Sequence, residues 1–194
     1  MRLLIPLLTG CLSAQAVPPS PADTPAVVEV AEAPPSDSLY NLGMELTTHT
    51  GEPTTLAVHE GHYTLVSMFY ASCPSACPML ISDMHALEDR LAPEVLSDLR
   101  VLMVSLAPDE DTPEVLTKLA SDRGIDTERW TLATAPERDV RSLAAMLGIS
   151  YRRMASGHIN HTAVITLLDP QGRALERIEG LGESSDPIVA ALAP

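Results

Sequence analysis

Two cysteines, Cys73 and Cys77, stand three residues apart in FYASCPSACPML, residues 69–80. An apolar run from Tyr63 to Tyr70 precedes them and predicts a buried strand. Behind them Leu80, Met84, Leu87 and Leu91 recur at i, i+4, i+7 and i+11, the period of a helix. The pair therefore falls where a strand ends and a helix begins. A helix N-terminus leaves N–H groups unpaired and carries partial positive charge. That charge lowers a thiol's pKa, and the thiolate is both a nucleophile and a metal ligand. With Cys77 in the first turn, the i, i+4 spacing lets both sulfurs converge on one point. The chemistry this predicts is a soft-metal or redox site. A structural disulfide is the bland alternative, but a loop this short stabilises by only about 2 kcal/mol.

The elements that must position the pair follow in order. ELTTHTGEPTTL, residues 45–56, predicts a β-hairpin around Thr50-Gly51-Glu52. His49, His59 and His62 lie in or beside it and are expected as exposed loop histidines. The strand 63–70 leads to a helix over about 77–91, with Pro93 as its stop. Met84 and Met79 on that helix are expected to be core filler rather than metal contacts. His85, with Ile81, Glu88 and Asp89, is expected on a solvated face. Residues 99–106 (LRVLMVSL) read as a strand covered on both sides. Thr112, Pro113 and Gly124 punctuate the next helix, with Val115, Leu116, Leu119 and Ala120 as its buried stripe. Trp130–Thr134 is a short strand, and Pro136 to Leu147 a helix with Val140, Leu143, Ala144 and Leu147 inward. YRRMASGHIN is a loop, after which His161 opens the strand HTAVITLL. Asp169-Pro170-Gln171-Gly172 turns into a last strand, 173–179, and Ser185 caps a helix over 186–192.

This alternation predicts an α/β fold: a central mixed β-sheet flanked by helices on both faces, with an N-terminal β-hairpin. The order, with cysteines after the first core strand, fits the thioredoxin-like architecture. There the residue opening the third core strand faces the cysteine loop. That residue is His161, or Thr162 beside it, where thioredoxin-type oxidoreductases place a cis-proline. Two thiolates and an imidazole suit Cu(I), Cu(II) or Zn(II). A structural zinc usually takes four protein ligands, and only three good ones are found. His158 competes as third ligand; strand-entry position favours His161.

The 194 residues suit one domain with appendages, and the formal net charge of −14 argues against nucleic acid. Residues 1–16 read as an export signal: Arg2, an apolar run from Leu3 to Leu12, and an A-x-A pattern at Ala14-Gln15-Ala16. A second reading is a lipoprotein signal ending before Cys11, since Leu8-Thr9-Gly10-Cys11 resembles a lipobox. Lipidation at Cys11 would be the chain's one link to a membrane. Residues 17–38, rich in Pro, Ala and acidic residues, read as a disordered linker to a domain over 39–194.

In order along the chain, Cys73-Pro-Ser-Ala-Cys77-Pro78 with Phe69 four residues ahead, Asp111-Thr112-Pro113-Glu114, and His161-Thr162 followed by Asp169-Pro170-Gln171-Gly172 resemble the motifs of the Sco/SenC family. The match runs from about Tyr40 to Pro194. It implies that Cys73, Cys77 and His161 bind one copper ion, as Cu(I) or Cu(II). It implies a metallochaperone that delivers copper to the binuclear copper site of a respiratory terminal oxidase, or keeps that site's thiols reduced. The implied partners are the oxidase's copper-site subunit and another copper chaperone. The implied location is the periplasm or the outer face of the cytoplasmic membrane. Two positions depart from the family pattern: Ala107 replaces an acidic residue, and Asn160 replaces the Asp before the ligand histidine. The alternative function is a metal-independent thiol–disulfide oxidoreductase using Cys73 and Cys77, with His161 as base or spectator.

Overall fold

The computed structural model describes residues 34–193. The expected export signal, the Cys11 lipobox and the linker up to residue 33 lie outside the described residues. Ser38 is buried, donates to the Gln171 carbonyl at 2.6 Å and caps a single 3-10 turn, Leu39–Leu42.

The sheet is built from β1 (Glu45–Thr48), β2 (Pro53–Thr55), β3 (Thr64–Phe69), β4 (Arg100–Ser105), β5 (Trp130–Thr134), β8 (Val164–Leu168) and β9 (Ala174–Glu179), in the order β2-β1-β5-β4-β3-β8-β9. The core strands β3, β4 and β5 run parallel; the hairpin β1–β2 at one edge and β8–β9 at the other are antiparallel to their neighbours. Every residue of β3 and β8 is buried, which requires cover on both faces of the sheet. Among the described residues, α1 (Ala76–Glu88), α2 (Pro93–Asp98), α3 (Pro113–Arg123) and α4 (Glu137–Met146) lie between strands, and α5 (Asp186–Ala191) follows β9. This is the thioredoxin-like mixed α/β fold with its N-terminal hairpin. Among the described residues no helix is long and apolar enough to cross a membrane.

The punctuation of α3 behaves as its chemistry dictates. The Thr112 hydroxyl accepts from the Val115 N–H at 3.4 Å, and Gly124 leaves the helix in the left-handed region at φ 63°. At the β8–β9 turn the Asp169 carboxylate accepts from the N–H groups of Gln171 and Arg173, each at 2.9 Å. Gly172 is required there twice over. Its φ is +83°, and a Cβ would come within 2.6 Å of both the Ser38 hydroxyl and the Tyr40 ring.

Several expectations need correction. The helix expected to stop before Pro93 does so, at Glu88, and Pro93 opens a separate helix, α2, whose residues are all exposed or half-buried. Val115 is 38% exposed, so the buried stripe of α3 rests on Leu116 and Ala120. Ser185 makes no side-chain cap; its hydroxyl accepts from Arg90 at 2.6 Å instead. Residues 151–161 are not a loop but a two-stranded hairpin, β6 (Tyr151–Arg153) and β7 (Ile159–His161), outside the main sheet. His161 therefore closes β7, three residues before β8 begins, rather than opening the core strand. The face of α1 that carries His85 is not solvated. Ile81 and Glu88 are buried, and His85 stacks on Trp130 with ring centroids 4.9 Å apart.

His59 is half-buried rather than exposed. Burial, then the nearby Arg100 charge, lowers its pKa to about 4. The unfolded chain, with its histidine at the ordinary 6.5, then binds more protons between those values, so stability falls as pH drops through that window. Allowing for partial exposure, the loss from this group is about 1–2 kcal/mol by pH 4. His59→Gln is expected to flatten that segment of the stability–pH curve, measured by urea unfolding from pH 7 to pH 4.

Candidate metal centre

Strand β3 delivers the chain to Tyr70, and the loop 70–75 folds back onto α1. The Cys73 N–H donates to the Tyr70 carbonyl at 3.2 Å. The hydroxyl of Ser75, the N-cap of helix α1, makes no capping hydrogen bond. The Cys73 sulfur fills that role, accepting from the Cys77 N–H at 3.2 Å. A sulfur held on the unpaired N–H groups of a helix start is stabilised as thiolate. Burial pushes the Cys73 thiol up. The N–H groups of Cys77 and Ser75, with hydrogen bonds from the Cys77 thiol and the Tyr70 hydroxyl, outweigh it and hold Cys73 below its ordinary value. Cys77 behaves oppositely. Its sulfur accepts only one backbone N–H, that of Tyr70 at 3.5 Å, and burial drives its pKa well up. Both thiols are free.

His161 meets this pair from the other side of the gap. Its Nε2 stands 3.8 Å from the Cys77 sulfur. Its Nδ1 stands 3.1 Å from the Thr162 carbonyl, which can only accept, so Nδ1 carries the proton and Nε2 presents its lone pair to the sulfur. Burial lowers the His161 pKa and keeps the ring neutral. A recess of about 310 Å³, lined by Ser150, Tyr151, Arg152, Asn160, His161 and Thr162, opens beside the ring.

A thiolate and an imidazole bonded to one ion at ~2.3 and ~2.0 Å stand about 3.5–3.7 Å apart. The 3.8 Å between Cys77 and His161 fits that spacing. Cys73 is turned toward the helix start, and among the described residues no three His, Cys, Asp or Glu side chains form a closed metal-holding group. The structure thus brings Cys77 and His161 together and holds the buried Cys73 sulfur on the Cys77 N–H. Met84 is fully buried and Met79 is 51% exposed.

His158 points elsewhere: its Nδ1 is 2.9 Å from the Tyr70 hydroxyl. The Tyr70 ring lies edge-on to both imidazoles, 5.9 Å from His158 and 6.0 Å from His161. Burial, with the hydrogen bond to Cys73 and that thiolate's charge, pushes the Tyr70 phenol up to about 12. Tyr70 was missed in the sequence because it ends an apolar run, where an aromatic ring is ordinary core.

Asp111 was read only as a motif letter. It is buried, and one carboxylate oxygen accepts from the Ala71 N–H at 3.0 Å and the Ser105 hydroxyl at 2.5 Å. It pins the cysteine loop to the end of β4. Asp111→Ala is expected to orphan both donors and cost about 2–3 kcal/mol, while Asp111→Asn, which keeps an acceptor, costs less than half of that. Denaturant midpoints of the two variants check the ordering. Ala107, the first departure from the family pattern, is buried, and its N–H donates to Ser105 at 2.9 Å. Asn160, the second, is exposed and faces Arg152 across the hairpin.

A thioredoxin-like domain whose sulfurs sit on a helix start, with a neutral imidazole brought against one of them, is a thiol or metal-handling protein of the cysteine-pair class. The chain belongs to the SCO1/SenC family, whose model matches residues 34–193. It is 25% identical over 154 residues to the human mitochondrial SCO1 homologue, a match spanning 76% of this chain and 50% of that protein. The chain thus spans about half the length of that relative. Among solved structures it shares its fold with Arabidopsis thaliana ScoI with copper bound, at 17% identity and a TM-score of 0.65, covering 77% of this chain and 92% of that one. It also shares it with BsSco, in which a disulfide switch was identified and which is described as a member of the Sco family of cytochrome c oxidase assembly proteins. That match has 20% identity and a TM-score of 0.66, covering 76% of this chain and 88% of the other.

Proposed function

We propose that this chain is an exported copper-binding metallochaperone. It uses Cys73, Cys77 and His161 to carry copper to the binuclear copper site of a respiratory terminal oxidase, or to maintain that site's thiols. The single observation that carries the reading is the approach of the His161 lone pair to Cys77, with Cys73 on the helix start beside them. Family membership and the copper-bound Arabidopsis relative support the choice of ion. The description of BsSco supports an oxidase as partner; the copper-site subunit as the docking point and an upstream copper chaperone as the source of the cargo belong to the proposal. The signal in residues 1–16, the linker over 17–38 and the lipobox at Cys11 support export to the periplasm or the outer membrane face, with the domain over 39–194 as the working part.

Copper is cargo here. Bound, it takes soft thiolate sulfur and imidazole nitrogen. The chain's own residues do the remaining work. The helix start keeps Cys73 deprotonated, the Thr162 carbonyl fixes the His161 tautomer, and Tyr70 walls the pair from solvent.

The second reading, a thiol–disulfide oxidoreductase, is favoured by one observation: the two thiols are pushed apart in pKa, Cys73 down and Cys77 up. In that reaction the Cys73 thiolate attacks a partner disulfide. Cys77 then gives its proton to solvent, attacks the mixed disulfide and displaces the second partner thiolate; the Cys73–Cys77 disulfide forms as the partner disulfide takes up the two electrons.

One titration separates them. The reduced protein is titrated with Cu(I) and Cu(II), alongside a disulfide-turnover assay. Delivery predicts one equivalent bound, and for Cu(II) a thiolate-to-copper charge-transfer band that disappears in His161→Ala. The reductase reading predicts turnover intact in His161→Ala, lost in either Cys→Ser variant, and copper that does not protect the thiols from alkylation.

A further inference from the structure

Three of the five exposed large apolar side chains among the described residues are methionines: Met79, Met146 and Met154. Two of them sit on helices, but Met154 lies at the turn end of the β6–β7 hairpin whose second strand finishes at His161. The Met154 N–H donates to the His158 carbonyl at 2.8 Å, so the two residues oppose one another across the hairpin. Opposed residues in an antiparallel ribbon share a face, with Cβ atoms about 4.5–5.5 Å apart. Met154 is 41% exposed, and His158 is exposed as well.

The His158 ring is not free to wander. Its Nδ1 is held by the Tyr70 hydroxyl at 2.9 Å. With Nδ1 protonated and donating to that oxygen, Nε2 keeps its lone pair for an outside ligand, the arrangement that orients metal-binding imidazoles. The Tyr70 carbonyl accepts from the Cys73 N–H at 3.2 Å. One tyrosine thus holds the exposed imidazole through its hydroxyl and the start of the cysteine loop through its backbone.

We propose that Met154 and His158 form an outer contact site for Cu(I), from which the ion passes beside Tyr70 to Cys73 and Cys77. A thioether and an imidazole are suitable donors for that ion, and both are weaker than a thiolate. Such a site captures without trapping. Transfer is ligand exchange: the copper–thioether and copper–imidazole bonds break as copper–thiolate bonds form. The oxidation state is unchanged, and any thiol proton leaves to solvent. The proposal rests on the copper reading for the identity of the ion.

The test uses Ag(I), a redox-inert stand-in for Cu(I), on the full chain carrying Cys73→Ser and Cys77→Ser, followed by methionine-methyl and histidine-ring NMR. The expected result is saturable movement of the Met154 methyl and His158 ring signals while Met79 and Met146 stay still. Met154→Leu or His158→Gln should each abolish the movement that remains. Equal movement of all three exposed methionines, or none at Met154, would overturn the proposal. The wild-type chain is titrated in parallel: failure to protect Cys73 and Cys77 there sinks the copper reading, and the outer-site result is read independently of it.

Discussion

Cys77→Ser is expected to abolish tight copper binding in both oxidation states, while His161→Ala should remove Cu(II) and spare much of the Cu(I) affinity. The asymmetry comes from ligand chemistry. Cu(I) is soft and is satisfied by thiolates, whereas Cu(II) prefers a larger set that includes nitrogen. Cys77 is the sulfur that His161 addresses, at 3.8 Å, so losing it removes the link between the two halves of the site. A serine hydroxyl in the same pocket is neither soft nor ionised. The expected weakening is at least about a thousandfold for Cys77→Ser, or ~4 kcal/mol. Competition against a Cu(I) chelator measures the first effect, and the visible absorption of the Cu(II) form the second. Equal losses of Cu(I) affinity in the two variants would contradict the ligand assignment.

Glu88→Ala should be among the most destabilising single changes in the domain. The carboxylate is 5% exposed, at the C-terminal end of the helix that carries Cys77. It accepts from the Trp130 indole N–H at 2.9 Å and from Arg129 at 2.7 Å, with the His85 ring 3.2 Å away. Removing it leaves a buried indole N–H without an acceptor and takes from the largely buried Arg129 guanidinium one of its two carboxylates, the other being Asp126 at 2.8 Å. Breaking a buried pair from one side costs about 3–5 kcal/mol, a large part of a domain's total of ~5–15 kcal/mol. Glu88→Gln keeps an acceptor for Trp130 and should recover part of the loss. Chemical denaturation of the two variants reads the difference. A cost for Glu88→Ala below about 1 kcal/mol, the range of surface pairs, would show that the network carries no weight.

Glu88 also shows where the sequence stops being informative. Helical spacing puts it beside Asp89 and His85, and three polar residues in a row of neighbours read as a wet face. Nothing local to α1 announces that Trp130, on a strand forty residues later, brings an indole N–H to meet it. The core strands were legible because β3, β4 and β8 are continuous apolar runs. β5 was found at its observed bounds, Trp130–Thr134. Spacing drew attention to Cys73 and Cys77, whereas His161 was singled out as the opener of the third core strand, a position the structure corrects by placing it at the end of β7. The hairpin β6–β7 was not. Its strands are three residues long and largely exposed, so no alternation between buried and polar positions exists to be read. That is also why the Tyr70–His158 contact was invisible: it joins the end of a core strand to a ribbon whose existence the chain does not advertise.

Two sulfurs and one imidazole are proposed to hold a single copper ion. X-ray absorption at the copper edge, on the reduced protein loaded with one equivalent, checks this. The expected first shell is two sulfurs and one imidazole nitrogen, with the nitrogen lost in His161→Ala and one sulfur lost in Cys77→Ser. A shell of nitrogen and oxygen alone, unchanged in those two variants, would contradict it.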